Sequence, residues 1–118
     1  MKEYLLLFRS QQGAYAQPTQ EQMQESMTAW TNWIGGIAQK GQLTSGQPLT
    51  HEGKHMATSD KITDAPFAEG KEVVNGYLVV KAANYAEACS LSETCPIFKD
   101  PGGSVEVREI MVTEGMMM

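Results

Sequence analysis

Three side chains in the middle of the chain have the chemistry for proton transfer: His51, His55 and Asp64. Asp64 opens the proline-containing segment Asp64-Ala65-Pro66. A carboxylate placed there acts as a general base if it faces a cleft, or holds an imidazole in one tautomer. An Asp in such a place also caps the backbone of its own turn. The sequence leaves both roles open. His51 and His55 are the only imidazoles. A dyad needs one of them within about 3 Å of the carboxylate; otherwise they read as exposed histidines of a hairpin. With Asp60 or Asp64 they contain donors for a divalent cation. Their i, i+4 spacing serves a metal on a helix, and Gly53 between them opposes one. No metal and no cofactor are expected.

A second group of candidates concerns binding rather than proton transfer. Glu69, Lys71 and Glu72 follow Phe67 closely. They suit either a polar ligand at a cleft mouth or a solvated loop end. Phe67 itself reads as a plug beneath its loop. Arg108 has the planar fork that grips a carboxylate, yet an internal ion pair with Glu106 or Asp64 is the favoured reading. Trp30 and Trp33 belong to a helix that packs on a sheet, with one indole edge available to line a pocket. No Ser-His-Asp order, glycine-rich phosphate loop or CxxC set is present.

These residues must be positioned by a small number of elements. Tyr4-Leu5-Leu6-Leu7-Phe8 is an apolar run too short for a helix and fits a central strand. Thr19 with Gln22 forms a capping box that opens a helix. Met23, Met27, Trp30, Ile34 and Ile37 then make one stripe, and Gly41 stops it. Gly35-Gly36 inside the helix cost roughly 1 kcal/mol each against Ala, so a close approach to the sheet is expected there. Gln42–Thr50 reads as an edge strand broken by Gly46 and Pro48. Lys54–Thr63 resembles a polar hairpin arm with a turn at Ser59-Asp60, and 64–70 reads as a loop. Val73–Ala82 is a strong strand with a bulge at Asn75-Gly76. Asn84, with Glu87, caps a second helix that ends before Pro96. Ser104–Val112 is the last strand.

The order is β-α-β-β-β-α-β, an α+β fold: a ferredoxin-like split βαβ with an extra hairpin strand. Two helices cover one face of such a sheet. The other face keeps Leu5, Leu7 and part of the Val-rich strand, so a homodimer with two sheets face to face is expected. One domain, 1–114, and a flexible tail, 115–118, account for the chain.

Composition bounds the partners. Fourteen acidic against nine basic side chains give a net charge of −5, which opposes nucleic-acid binding. No apolar run approaches the roughly 18 residues of a membrane span, and the start, Met1-Lys2-Glu3, lacks the pattern of a secretory signal. Cys89 and Cys95 have no CxxC spacing and read as free thiols of a cytoplasmic protein.

The segment Asp64-Ala65-Pro66-Phe67-Ala68-Glu69-Gly70-Lys71-Glu72, followed by Gly76-Tyr77 and a Val-rich strand, resembles the DGPF-type branch of the YCII-related family. The resemblance spans nearly the whole chain: the Tyr4-Leu5-Leu6-Leu7 opening, Trp30-Thr31-Asn32-Trp33, Gly41-Gln42-Leu43, Ala86-Glu87-Ala88, Cys95-Pro96 and Val105-Glu106-Val107-Arg108. Three positions depart from the pattern. Ala65 stands in place of Gly, Asn75 in place of the first Gly of a pair, and Glu109 in place of Pro. If position 65 needs φ > 0, Ala is strained there by roughly 1–2 kcal/mol.

The resemblance implies a dimeric α+β barrel. For the founding branch it implies a His-Asp pair in a cleft; neither His51 nor His55 stands where that His falls. For the DGPF type it implies a link to extracytoplasmic-function sigma factors of bacteria. Two functions follow. One is a homodimer binding a small polar or aromatic molecule near the Asp64 loop, with Asp64 catalytic in an isomerase-like reaction and Phe67, Glu69, Lys71, Arg108 and Trp33 binding the ligand. The other is a non-catalytic regulatory or protein-interaction module.

Overall fold

The computed structural model describes residues 1–11, 19–50, 52–65 and 72–113. Its elements run β1 (Lys2–Gln11), α1 (Gln20–Gln39), β2 (Leu43–Pro48), β3 (Gly53–Thr58), β4 (Lys61–Ala65), β5 (Glu72–Ala82), α2 (Tyr85–Ser92), a one-turn 3-10 helix (Pro96–Lys99) and β6 (Ser104–Glu109). Strands β2, β5, β1 and β6 lie side by side in that order, and all neighbours are antiparallel. This is the ferredoxin-like α+β arrangement expected from the sequence.

Alternation along β1 decides which side becomes core. Tyr4, Leu6, Phe8 and Ser10 are buried, while Leu5, Leu7 and Arg9 are only half-buried. Register extends the pattern: Leu6 stands between Leu78 and Val107, and Leu7 between Tyr77 and Glu106. Successive side chains of a strand point to opposite faces. The buried set therefore forms the floor under the helices, where Ile37, Ala88, Cys95 and Ile97 complete the core. Among the described residues no element packs over the face carrying Leu5, Leu7, Tyr77 and Val79.

The helix start expected at Thr19 is present in full. Thr19 Oγ1 accepts the Gln22 N–H at 3.1 Å, and Gln22 Oε1 accepts the Thr19 N–H at 2.9 Å. Asn84 likewise caps α2 by accepting the Glu87 N–H at 2.9 Å. Glu87 does not return to the cap itself. Its carboxylate accepts from Gln42 Nε2 at 2.8 Å and from the Ala83 N–H, tying α2 to the start of β2.

The structure corrects several expectations. The hairpin over Lys54–Thr63 is present with its turn at Ser59-Asp60, but it adds two strands rather than the one extra strand expected: β3 and β4 form a separate two-stranded ribbon. Asp64 is the penultimate residue of β4 rather than the start of a loop, because the ladder runs on to Ala65 opposite Gly53. No described non-glycine residue has positive φ, so Ala65 carries no such strain. Gly35 and Gly36 are not sites of close approach, since a Cβ on either would meet nothing within 4 Å; nothing in the structure explains the pair. Met23 and Met27 continue the α1 stripe but are 50% and 70% exposed, so only the second half of the helix sits on the sheet. The last strand stops at Glu109. The expected tail, 115–118, lies outside the described residues. No described helix is long and apolar enough to cross a membrane.

Candidate functional site

Where α1 departs from the sheet it leaves a cleft of about 660 Å³. The volume falls within the range of about 300–1,000 Å³ typical of small-molecule sites. Its roof is Met27, Trp30, Thr31 and Ile34 of α1. Its walls are the stretch from Leu43 to Leu49 and the middle of β5, from Asn75 to Leu78. Phe8, Ile97 and Asp100 close the inner end.

Local backbone chemistry shapes this end of the sheet. A side chain at Gly46 would collide with Leu78 and with the Tyr77 carbonyl, and one at Gly76 would come within 2.9 Å of the Gln47 carbonyl. The two glycines let β2 and β5 close on each other. The register of β1 on β5 shifts between Phe8 and Arg9, opposite Gly76 and Val74, which leaves Asn75 as the extra residue of a bulge. The Leu49 N–H then donates to the Asn75 carbonyl at 2.8 Å, carrying the pairing past Pro48.

The lining is predominantly apolar. Phe8 meets Trp30 edge-on with ring centroids 5.0 Å apart, and Trp30 meets Trp33 in the same way at 5.7 Å. Such edge contacts hold aromatic walls in fixed orientations. Polar groups enter at few points. Asn75 donates from Nδ2 to the Oγ of fully buried Ser10 at 2.6 Å, so its amide is held in place. Asp100 is the one acidic residue among the described residues of the lining. The arrangement suits recognition of an aromatic or aliphatic body with a small number of hydrogen-bonding substituents.

The residues singled out in the sequence fall in other places. Asp64 is exposed on β4 and pairs with Lys54 Nζ at 2.6 Å; it does not line the cleft. Register sets His55 opposite Thr63, on the other side of the ribbon from Asp64. Trp33 is directed away from the cleft, with its indole N–H donating to the Leu91 carbonyl at 3.1 Å. Arg108 lies on the uncovered sheet face beside Leu5. Its nearest carboxylate, Glu106, is 3.9 Å away and closer to Arg9, at 3.1 Å. His51, Phe67, Glu69 and Lys71 lie outside the described residues. Among the described residues no three His, Cys, Asp or Glu side chains converge as a metal site requires.

Sequence reasoning missed Phe8, Leu49, Ile97 and Asp100 as lining residues. It found the signals that shape the cleft, namely the break at Gly46 and Pro48, the bulge at Asn75-Gly76 and an indole edge at a pocket. It did not join them, because they are brought together by tertiary packing.

Residues 3–114 match the family model described as the YCII-related domain. No protein of curated function matches the chain.

Proposed function

The chain belongs to the YCII-related domain family, and from that premise we propose that it acts as a homodimer binding a small, mainly apolar or aromatic molecule in the cleft between α1 and the β2–β5 end of the sheet. The observation that carries the binding reading is the 660 Å³ cleft with its aromatic roof and its fixed Asn75 amide.

The dimer reading rests on the second face of the sheet. Leu5, Leu7, Tyr77 and Val79 form an apolar centre there, with Arg9, Arg108 and Glu106 beside it. Both charge signs on one patch allow it to meet its own copy by a two-fold axis. Asp64 is given no catalytic part in this reading. An exposed carboxylate paired with a lysine has neither the burial nor the proton partner that a general base needs.

The test is titration with neutral 1-naphthol, followed by NMR at the two indole N–H groups. Trp30, in the roof, is expected to shift saturably while Trp33, bonded to Leu91, shifts little. Met27→Glu places a charge at the exposed mouth and is expected to weaken binding about tenfold, whereas Asp64→Asn leaves it unchanged. Absence of saturable binding, or shifts centred on the ribbon, would overturn the reading in favour of an interaction module.

A further inference from the structure

The ribbon β3–β4 stands apart from the four-stranded sheet. Its twelve outer-strand-to-turn positions, 53–64, are exposed at every residue except His55. Among the described residues no other element packs on it beyond a marginal touch. An isolated two-stranded hairpin is marginally stable in water, so a ribbon of this length needs a surface to rest on. It also carries a feature suited to one. Met56 and Ile62 face each other across the ladder and are 55% and 61% exposed. Lys54 and Asp64, two residues along each strand, share that face and neutralise each other. The result is an apolar pair that gains by leaving water, with an ion pair beside it that stays solvated at the rim of a contact.

The dimensions point to what it rests on. The molecule extends 41 × 38 × 19 Å. The eleven residues of β5 account for about 36 Å along the strands, whereas four strands spaced by about 4.8 Å account for roughly 19 Å of width, so the second long dimension comes from parts reaching sideways past the sheet. Its radius of gyration is 15.9 Å, against roughly 13.5 Å for a compact chain of this length. The uncovered sheet face is on the order of 500 Å², whereas a stable interface takes about 800 Å² from each partner. A ribbon about 20 Å long and two strands wide adds roughly 200 Å², which closes most of that gap.

We propose that the β3–β4 ribbon is a dimerisation arm, whose Met56–Ile62 face packs against a second copy of this chain alongside the sheet-to-sheet contact. The inference rests on the dimer reading above and extends the interface to an element outside the sheet. Each arm is contributed reciprocally, as two-fold symmetry requires. The arm reaches the partner and leaves the monomer's own core untouched.

The experiment measures the dimer dissociation constant by sedimentation equilibrium for the wild type, Met56→Lys, Ile62→Lys and Leu7→Lys, with far-UV circular dichroism for each. Both ribbon positions are exposed in the monomer, so these variants are expected to keep their secondary structure. Each ribbon substitution is expected to weaken the dimer about tenfold or more. A wild-type dimer that both ribbon variants reproduce with unchanged affinity would overturn the arm. Weakening by the ribbon variants but not by Leu7→Lys would sustain the arm and overturn the sheet contact. A monomeric wild type would overturn both.

Discussion

The two faces of the four-stranded sheet are built from the same strands and differ by one residue of phase. On one, Tyr4, Leu6 and Val80 are at most 1% exposed under α1, α2 and the 3-10 turn. On the other, Leu5, Leu7 and Val79 have side chains of the same kind and remain half-buried. Hydrophobicity alone does not separate them. What separates them is whether the described elements supply a layer above, and the two helices suffice for one face. The covered face is therefore where the folding energy of the single chain resides, and the uncovered face is where association is available.

The largest difference between the faces is expected in core truncation. Leu6→Ala removes a fully buried side chain and is expected to cost about 2–5 kcal/mol in urea unfolding. Leu7→Ala, one residue away, is expected to cost the monomer far less, since water already reaches it. Equal losses would break the comparison. Next in size is Asn75→Ala. It leaves the Ser10 hydroxyl buried without the amide that satisfies it and is expected to cost about 1–3 kcal/mol.

The covered face also sets a pH dependence. Burial pushes the Cys95 thiol up, to about 12 from an ordinary 9.0. The folded protein holds that proton where the unfolded chain has lost it. Stability from this group is thus intact below pH 9 and declines as pH rises from 9 toward 12. The expected loss is about 1 kcal/mol one unit above the ordinary value, and Cys95→Ala should flatten that slope in urea midpoints measured across the window. Exposed Cys89 should react with a thiol reagent in the native state, and Cys95 only on unfolding. Smallest is the ribbon ion pair. Lys54→Ala is expected to change monomer stability by less than about 0.5 kcal/mol, read by thermal unfolding. A larger loss would mean that the ribbon is tied into the monomer core.

Much of the fold was legible because its signals are local. Thr19 and Gln22 specify their own hydrogen bonds, Asn84 specifies its cap, and the Val73–Ala82 run with its Asn75-Gly76 bulge specifies a central strand. The hairpin around Ser59-Asp60 was legible as a turn but not as a two-strand ribbon, since its polar residues give no alternation to count. Met23 and Met27 misled in the other direction. Their spacing matches the stripe of a packed helix, but at their level α1 stands off the sheet, and spacing carries no information about where a helix departs from its partner layer. The candidate site was the least legible part. Asp64 and the histidines attracted attention by side-chain type, whereas the cleft is made by Phe8, Ile34, Leu49 and Ile97, ordinary apolar residues whose role depends on the gap between α1 and β2.

The proposed dimer requires a second copy over the uncovered face. Sedimentation velocity on the wild-type protein at micromolar concentration tests this directly. The expected result is one species of twice 13.0 kDa. A single folded species of 13.0 kDa, with the near-UV circular dichroism of a native protein, would contradict it.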